Sequence, residues 1–479
     1  MKKAVFCRDG VRVLRMAASG LAAGLAFAAN PTLAAPFSCT DVPPPAVAPA
    51  PSNTFNGDWV GPLTLGPIKT WAEFRIDGSQ VTAGTAFGIL TTSGQARLDG
   101  AQEHVELGEH GSLDGPIDFR GGVWTAHWVM KDAPDRQLQL VRRPQTPIPP
   151  LPYGSEDVTF HGADGAVIAG TVTAPADHRP HPAVILVTGS VPTDRDYVGK
   201  MGSPAHRPFA VLADQLTRQG FVVLRYDSRG LGKSGRDSLN DPEGQFEGDI
   251  VAGLALLKGR PDVDPKKVGI IGHSAGGILA GRIAAADPSV AFAVLLESPG
   301  LPGSQFVEAQ SAAIGRAAGL SDADIAQRVR LSRAITAAVM SASTPAEARA
   351  GIEDVIKTFK QEGGSLGPLS QMTTEALAGG DFYKFFMTHD PAADLSRVRQ
   401  PVLVIAGAKD ILVPPELHLP PIRAALKANP QADVCVISDI GHTMRHVQTG
   451  TFKEADDSMI TIDESVLNPV LSWLVLHTR

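Results

Sequence analysis

The pentapeptide Gly272-His273-Ser274-Ala275-Gly276 sets a serine between two glycines, directly after the apolar run VGII. A serine hydroxyl of ordinary acidity is a poor nucleophile. It becomes reactive when a histidine takes its proton and a carboxylate orients that histidine. With 49 glycines in 479 residues, the G-x-S-x-G pattern carries meaning only in context. Here an apolar strand precedes Ser274 and a stretch compatible with a helix follows it, which is the setting of a nucleophile on a sharp strand-to-helix turn. Such a turn needs small neighbours, and Gly272 and Gly276 supply them.

The partners of such a serine belong on loops after later strands, with the acid before the histidine. "PVLVIAGAKDILVPP" places Asp410 three residues beyond Gly407, and "VCVISDIGHTM" places His442 just past the following strand. Glu297, which closes "AVLLES", is a rival acid from one strand earlier. His446 is a rival base farther from its strand end, and Asp439 reads as a turn former. An oxyanion formed at the serine needs two backbone amides. One is that of Ala275. The other is expected in "GSVPTDRDY" after "VILVTG", from Ser190 or, alternatively, Val191.

These groups need a frame. Short apolar runs, "AVILVTG", "FVVLRYD", "KVGIIGH", "AFAVLLES", "PVLVIAG" and "DVCVISD", are mostly separated by helix-length segments. Buried strands alternating with helices predict an α/β fold, a mainly parallel sheet covered on both faces. From about 303 to 390 the alternation breaks into Ala-rich sequence. In it Thr344, Pro345 and Glu347 form a capping box, and Ser321 and Asp324 repeat the device. The reading is a helical cap inserted between two strands.

Two proline-rich stretches, 36–52 and 144–152, read as extended linkers. Between them, 53–143 alternates apolar and polar residues with frequent turn signals, which predicts a small antiparallel β-domain. His104, Glu106 and His110 have metal-ligand chemistry, but their alternation is that of a solvated strand face. "RYDSRGLGKSG" contains a GKS, yet Asp227 stands where a phosphate-binding loop requires glycine. Asp227 and Arg229 are expected instead to fix a loop by charge-assisted hydrogen bonds. No cofactor and no metal is required by any of these groups.

Residues 1–35 read as a signal peptide, with Lys2, Lys3, Arg8, Arg12 and Arg15 before a short apolar run. That run is shorter than the ~20 residues of a membrane span, so a secreted or periplasmic protein without a transmembrane segment is expected. Loss of the five basic side chains and Asp9 takes the net charge from −7 to about −11, which argues against a nucleic-acid partner. Cys7 leaves with the signal. Of Cys39 and Cys435, the second reads as a small core residue in "VCVIS", in a compartment that permits a disulfide.

Taken in order, "LVTGSVPTDRDY", "VLRYDSRGLGKS", "IGHSAGG", "YKFFMTHDPAADL" and "PVLVIAGAKDILVP" resemble the exported bacterial α/β-hydrolase-fold esterases. More distantly they are similar to serine aminopeptidases and bile-acid-CoA acyltransferase/thioesterase relatives. The resemblance spans roughly 150–479, and the "GDWVGPL" β-domain also resembles one that often precedes such hydrolases. It implies Ser274 as nucleophile, Asp410 as acid and His442 as base, with a small-molecule ester as substrate. Ala275 departs from the glutamate that many relatives carry after the serine, which bears on substrate preference. The expected activity is that of a carboxylesterase. A peptidase, aminopeptidase or thioesterase with the same triad is the alternative, and a non-catalytic binding protein working through its β-domain is the alternative of another class. Because every candidate lies beyond residue 152, the domain 153–479 is expected to carry the chemistry alone.

Overall fold

The computed structural model describes Phe37, Cys39 and residues 55–478, apart from 66–67, 86–90, 100–101, 119–121, 131–133, 144, 148–150, 199–204, 236–244, 365–380, 452–453 and 455–459. The expected signal peptide and most of the first proline-rich stretch lie outside the described residues.

Eight antiparallel strands come first: β1 (Gly57–Leu65), β2 (Ile68–Asp77), β3 (Gln80–Thr85), β4 (Thr91–Asp99), β5 (Gln102–Glu106), β6 (Ser112–Asp118), β7 (Val123–Val129) and β8 (Arg136–Arg142). Each pairs with the next, and β8 returns to β1 through Trp59↔Arg142 and Val60↔Val141, closing a barrel. Closure removes the edges that an open sheet would leave unpaired. The interior is filled by one residue of each alternating pair, including Trp59, Phe74, Ile76, Val105, Leu113, Trp124 and Leu140. Phe55, Trp59, Phe74 and Trp124 pack edge-on or tilted, with ring centroids from 5.1 Å to 6.3 Å apart.

The second sheet has the order β9 (Tyr153–His161), β10 (Val167–Pro175), β12 (Val222–Tyr226), β11 (His181–Val187), β13 (Val263–His273), β14 (Ala293–Leu296), β15 (Val402–Gly407) and β16 (Ala432–Ile437). β10 is antiparallel to both its neighbours, and from β12 to β16 all pairings are parallel. Strands buried on both faces supply two cores. Ala183, Ile185, Ile270, Leu295 and Val404 face one side, with α2 (Gln245–Lys258) and α3 (Ala275–Ala286). Val184, Leu186, Ile271, Val294 and Ile405 face the other, with α1 (Pro208–Arg218) and α10 (Glu464–Thr478).

Between β14 and β15 lie α4 (Gly303–Ala317), α5 (Asp322–Ser341), α6 (Pro345–Gln361), α7 (Asp381–Thr388) and α8 (Pro391–Leu395); α9 (Pro415–Leu426) follows β15. The inserted helices have a core of their own, in which Leu331, Ile335, Val339, Ile352, Phe359 and Met387 meet. The Ser321 and Thr344 side chains accept the amides of Asp324 and Glu347, while Glu347 reaches back to the Ser343 amide at 2.8 Å.

Two expectations need correction. The second proline-rich stretch is no free spacer where it is described. Gln145 accepts the Thr461 and Ile462 amides at 2.8 Å and 2.9 Å and donates to the Ile462 carbonyl, and buried Thr146 donates to Asp58. An amide side chain can serve as a strand edge for another segment, and this one does. Cys435, read as an unpaired core residue, is bonded to Cys39 across 396 positions of sequence. The Phe37 amide donates to Asp433, which lays the N-terminal segment against β16 and brings the two cysteines together. Thiol titration of the unfolded, unreduced protein should therefore detect one thiol, Cys7, in a chain that keeps its first 35 residues, and none in a chain without them. Detection of two further thiols would contradict the bridge.

Candidate active site

Ser274 is the residue that turns β13 into α3. It has φ 55° and ψ −125°, a conformation that a non-glycine residue holds only under constraint. Its amide donates to Leu296 O on the neighbouring strand end at 2.8 Å. The flanking glycines are steric requirements. A Cβ on Gly272 would lie 2.1 Å from Gly276 O, and one on Gly276 would lie 2.4 Å from Thr188 O. Ser274 is thus pressed against the end of β11, where a Cβ on Gly189 would come within 3.6 Å of its Oγ.

Asp410 and His442 are brought together. His442 Nδ1 and Asp410 Oδ2 are 2.7 Å apart. Asp410 Oδ1 accepts the Leu412 and Val413 amides, each at 2.8 Å. Burial opposes the charge on Asp410, but His442 and these two amides outweigh it and hold the carboxyl below the usual range. With the His442 proton on Nδ1, facing the carboxylate, Nε2 carries the lone pair.

The rivals do not meet the His442 ring in this way. Glu297 ends β14 at φ 48° and accepts the Gly407 amide at 2.7 Å. Complete burial, together with the charge of Asp410, pushes it well above the carboxylate range. It lies beside Asp410 rather than against His442. His446 is exposed, and Asp439 takes φ 56° at the turn, where its carbonyl accepts the Val447 amide.

Ser190 and Ala275 border one small cavity, together with Gly189, Gly276, Tyr226 and Leu279. Val191 is 62% exposed. Asp227 and Arg229 do fix loops. Asp227 is gripped by Arg195 Nε and Nη2 at 3.0 Å and 2.7 Å, and Arg229 is forked onto Asp249 and Asp164. His104 bonds Asp114 and Glu106 on the barrel's outer face. Among the described residues no cluster of His, Cys, Asp and Glu is placed to hold a metal.

Two further residues, His273 and Tyr197, tie the loops around the serine turn together. His273 Nδ1 meets the Tyr197 hydroxyl, and His273 Nε2 donates to His442 O at 2.7 Å. The same hydroxyl accepts the Gly189 amide at 3.3 Å. One buried imidazole thus joins the serine turn, the Gly189–Val198 loop and the backbone of His442. Only the position of His273 beside Ser274 hinted at this.

A model of the alpha/beta hydrolase fold family matches residues 185–445, more than half of the chain and all three of Ser274, Asp410 and His442. The chain belongs to the alpha/beta hydrolase fold family. Esterase EstD of Thermotoga maritima is 31% identical over 152 residues, covering 32% of this chain and 34% of EstD. The matched stretch is therefore about a third of that relative's length. Among solved structures, Pyrococcus furiosus esterase Pf2001 superposes with a TM-score of 0.42 at 18% identity, over 68% of this chain and 92% of that one. An acetyl xylan esterase from Paenibacillus sp. R4 gives a TM-score of 0.38 at 20% identity, over 62% and 80%.

The hydrolase's buried imidazoles make a pH prediction. Burial, with His442 nearby, pushes His273 down to about 3, and burial pushes His418 down to about 4. The unfolded chain protonates such rings near 6.5, so below that pH it binds more protons than the folded state, and stability falls as the pH drops from about 6.5. Each ring contributes on the order of 1 kcal/mol per pH unit well inside that window. Urea unfolding between pH 6.5 and 4.5 should show a shallower loss in His273→Gln than in wild type. Equal slopes would contradict the neutral imidazole.

Proposed function

We propose that this α/β-hydrolase is an exported serine esterase, secreted or periplasmic, that cleaves small carboxylic esters through an acyl-enzyme. Ser274 attacks the ester carbonyl while His442 Nε2 takes its proton. Asp410 holds the imidazole and stabilises its cationic form. The Ala275 and Ser190 amides receive the oxyanion. His442 then protonates the leaving alcohol, and water, activated by the same ring, releases the acid. No metal or cofactor enters these steps.

The observation that carries the reading is the 2.7 Å His442–Asp410 pair, on loops that follow the same parallel sheet as the constrained Ser274 turn. An ester is favoured as the substrate because the 31% identical relative is by name an esterase. The Cys39–Cys435 bridge supports export, since disulfides persist in oxidising compartments.

On a p-nitrophenyl ester, Ser274→Ala should lower turnover by on the order of 10⁵–10⁶. Asp410→Asn should lower kcat by about 10⁴, because the imidazole is left in the wrong tautomer. Glu297→Gln should cost far less, because Asp410 is the carboxylate that meets His442. Ser274→Ala retaining more than a tenth of the activity would sink the assignment. A reversed order of the two acid variants would move the acid to Glu297.

A further inference from the structure

The barrel and the hydrolase domain meet through a chain of charges. Asp58 on β1 and Arg75 on β2 are directly opposite cross-strand partners. Phe74 and Ile76 fill the barrel, so Arg75 between them points outward. Arg75 Nη2 donates to Asp196 at 3.1 Å, and its Nη1 lies 3.7 Å from Asp194. Asp58 accepts Arg207 Nε at 2.9 Å, and Arg207 Nη1 extends the chain to Asp196 at 3.2 Å. Arg225 also pairs with Asp196.

Asp194 and Asp196 belong to the loop that follows β11 and carries Ser190. The Asp194 carboxylate organises that loop by accepting the Asp196 and Val198 amides, each at 2.9 Å. The residue between them, Arg195, ties the loop to Asp227 on the hydrolase side. The next residue, Tyr197, meets His273 and accepts the Gly189 amide. Two carboxylates two residues apart repel one another. Burial and the Asp196 charge push Asp194 up to about 6. Arg75 is the cation that touches both, and it comes from the other domain.

We infer that the barrel is a working part of the active site, with Arg75 as a positioning residue that holds the Ser190 loop in the geometry its amide needs to receive the oxyanion. This rests on the Ser274 reading above. It replaces the expectation that the chain beyond residue 152 suffices for the chemistry. The barrel's charge reaches the same loop whose Gly189 and Ser190 border a small cavity with Ala275 and Gly276. Uniform binding of substrate does not depend on the oxyanion amides, so the effect should fall on kcat rather than KM.

The test uses full-length protein, with active sites counted by a fluorophosphonate probe. Arg75→Ala should lower kcat per labelled site about tenfold on a p-nitrophenyl ester, with KM within about twofold. It should weaken a trifluoromethyl ketone, which forms a tetrahedral oxyanion on the serine, by a similar factor. Arg75→Lys should recover most of the loss. Arg136→Ala, which removes a barrel-internal bond to Thr64 O, should leave kcat within twofold. If Arg75→Ala does not fold, Arg75→Met, which keeps the apolar stem, is held to the same criteria. Folded Arg75→Ala or Arg75→Met with unchanged kcat and ketone affinity overturns the inference, as does a loss that falls on KM alone. Wild type that takes no probe on Ser274 overturns the serine reading instead.

Discussion

The site depends on one backbone constraint: Ser274 must hold a positive φ where a parallel strand becomes a helix. Nothing in a serine favours that conformation, so the surroundings must impose it. The β13 strand is fixed on both sides by β11 and β14, and the Ser274 amide is bound to the end of β14. Bare Cα atoms at Gly272 and Gly276 let strand and helix backbones close to distances that no side chain would permit. The parallel register then carries Gly407 and Ile437 to the same end of the sheet, so the loops bearing Asp410 and His442 emerge beside the turn.

Around that constraint the protein buries several ionisable groups and settles each in one state. Asp410 and Asp196 are kept charged, the first by His442 and two amides, the second by Arg225, Arg207 and Arg75. Burial pushes the Glu297 carboxyl up and the His273 imidazole down, disfavouring the charged form of each. The contrast between Glu297 and Asp410 is instructive, since two acids on adjacent strand ends differ only in what reaches them. Asp410 meets an imidazole and two N–H groups. Glu297 has one N–H, and burial together with the neighbouring Asp410 pushes its carboxyl up.

The parallel sheet, the strand-to-helix turn at Ser274 and the positions of the paired Asp410 and His442 were legible because each is local: apolar runs, paired glycines, and polar residues a few positions past a strand. The capping residues Ser321 and Thr344 were legible for the same reason. What escaped is long-range. The alternation in 53–143 indicated strands, but closure of the barrel depends on β1 meeting β8, about 80 residues away in sequence. Cys435 looked like a core residue because it is one; its bridge to Cys39 depends on where the N-terminal segment is laid down. His273, Tyr197 and Arg75 each have an ordinary position in sequence. Their part in the site arises only when three separate segments converge.

The proposed mechanism requires Ser274 to carry the acyl group between two half-reactions. The direct measurement is acid-quenched turnover of p-nitrophenyl acetate, followed by intact mass and peptide mapping, with Asp410→Asn used to slow deacylation. The expected result is an added acetyl group on the peptide containing Gly272–Gly276, located on Ser274. A steady-state enzyme with no acyl adduct, or with the adduct on another residue, would contradict it.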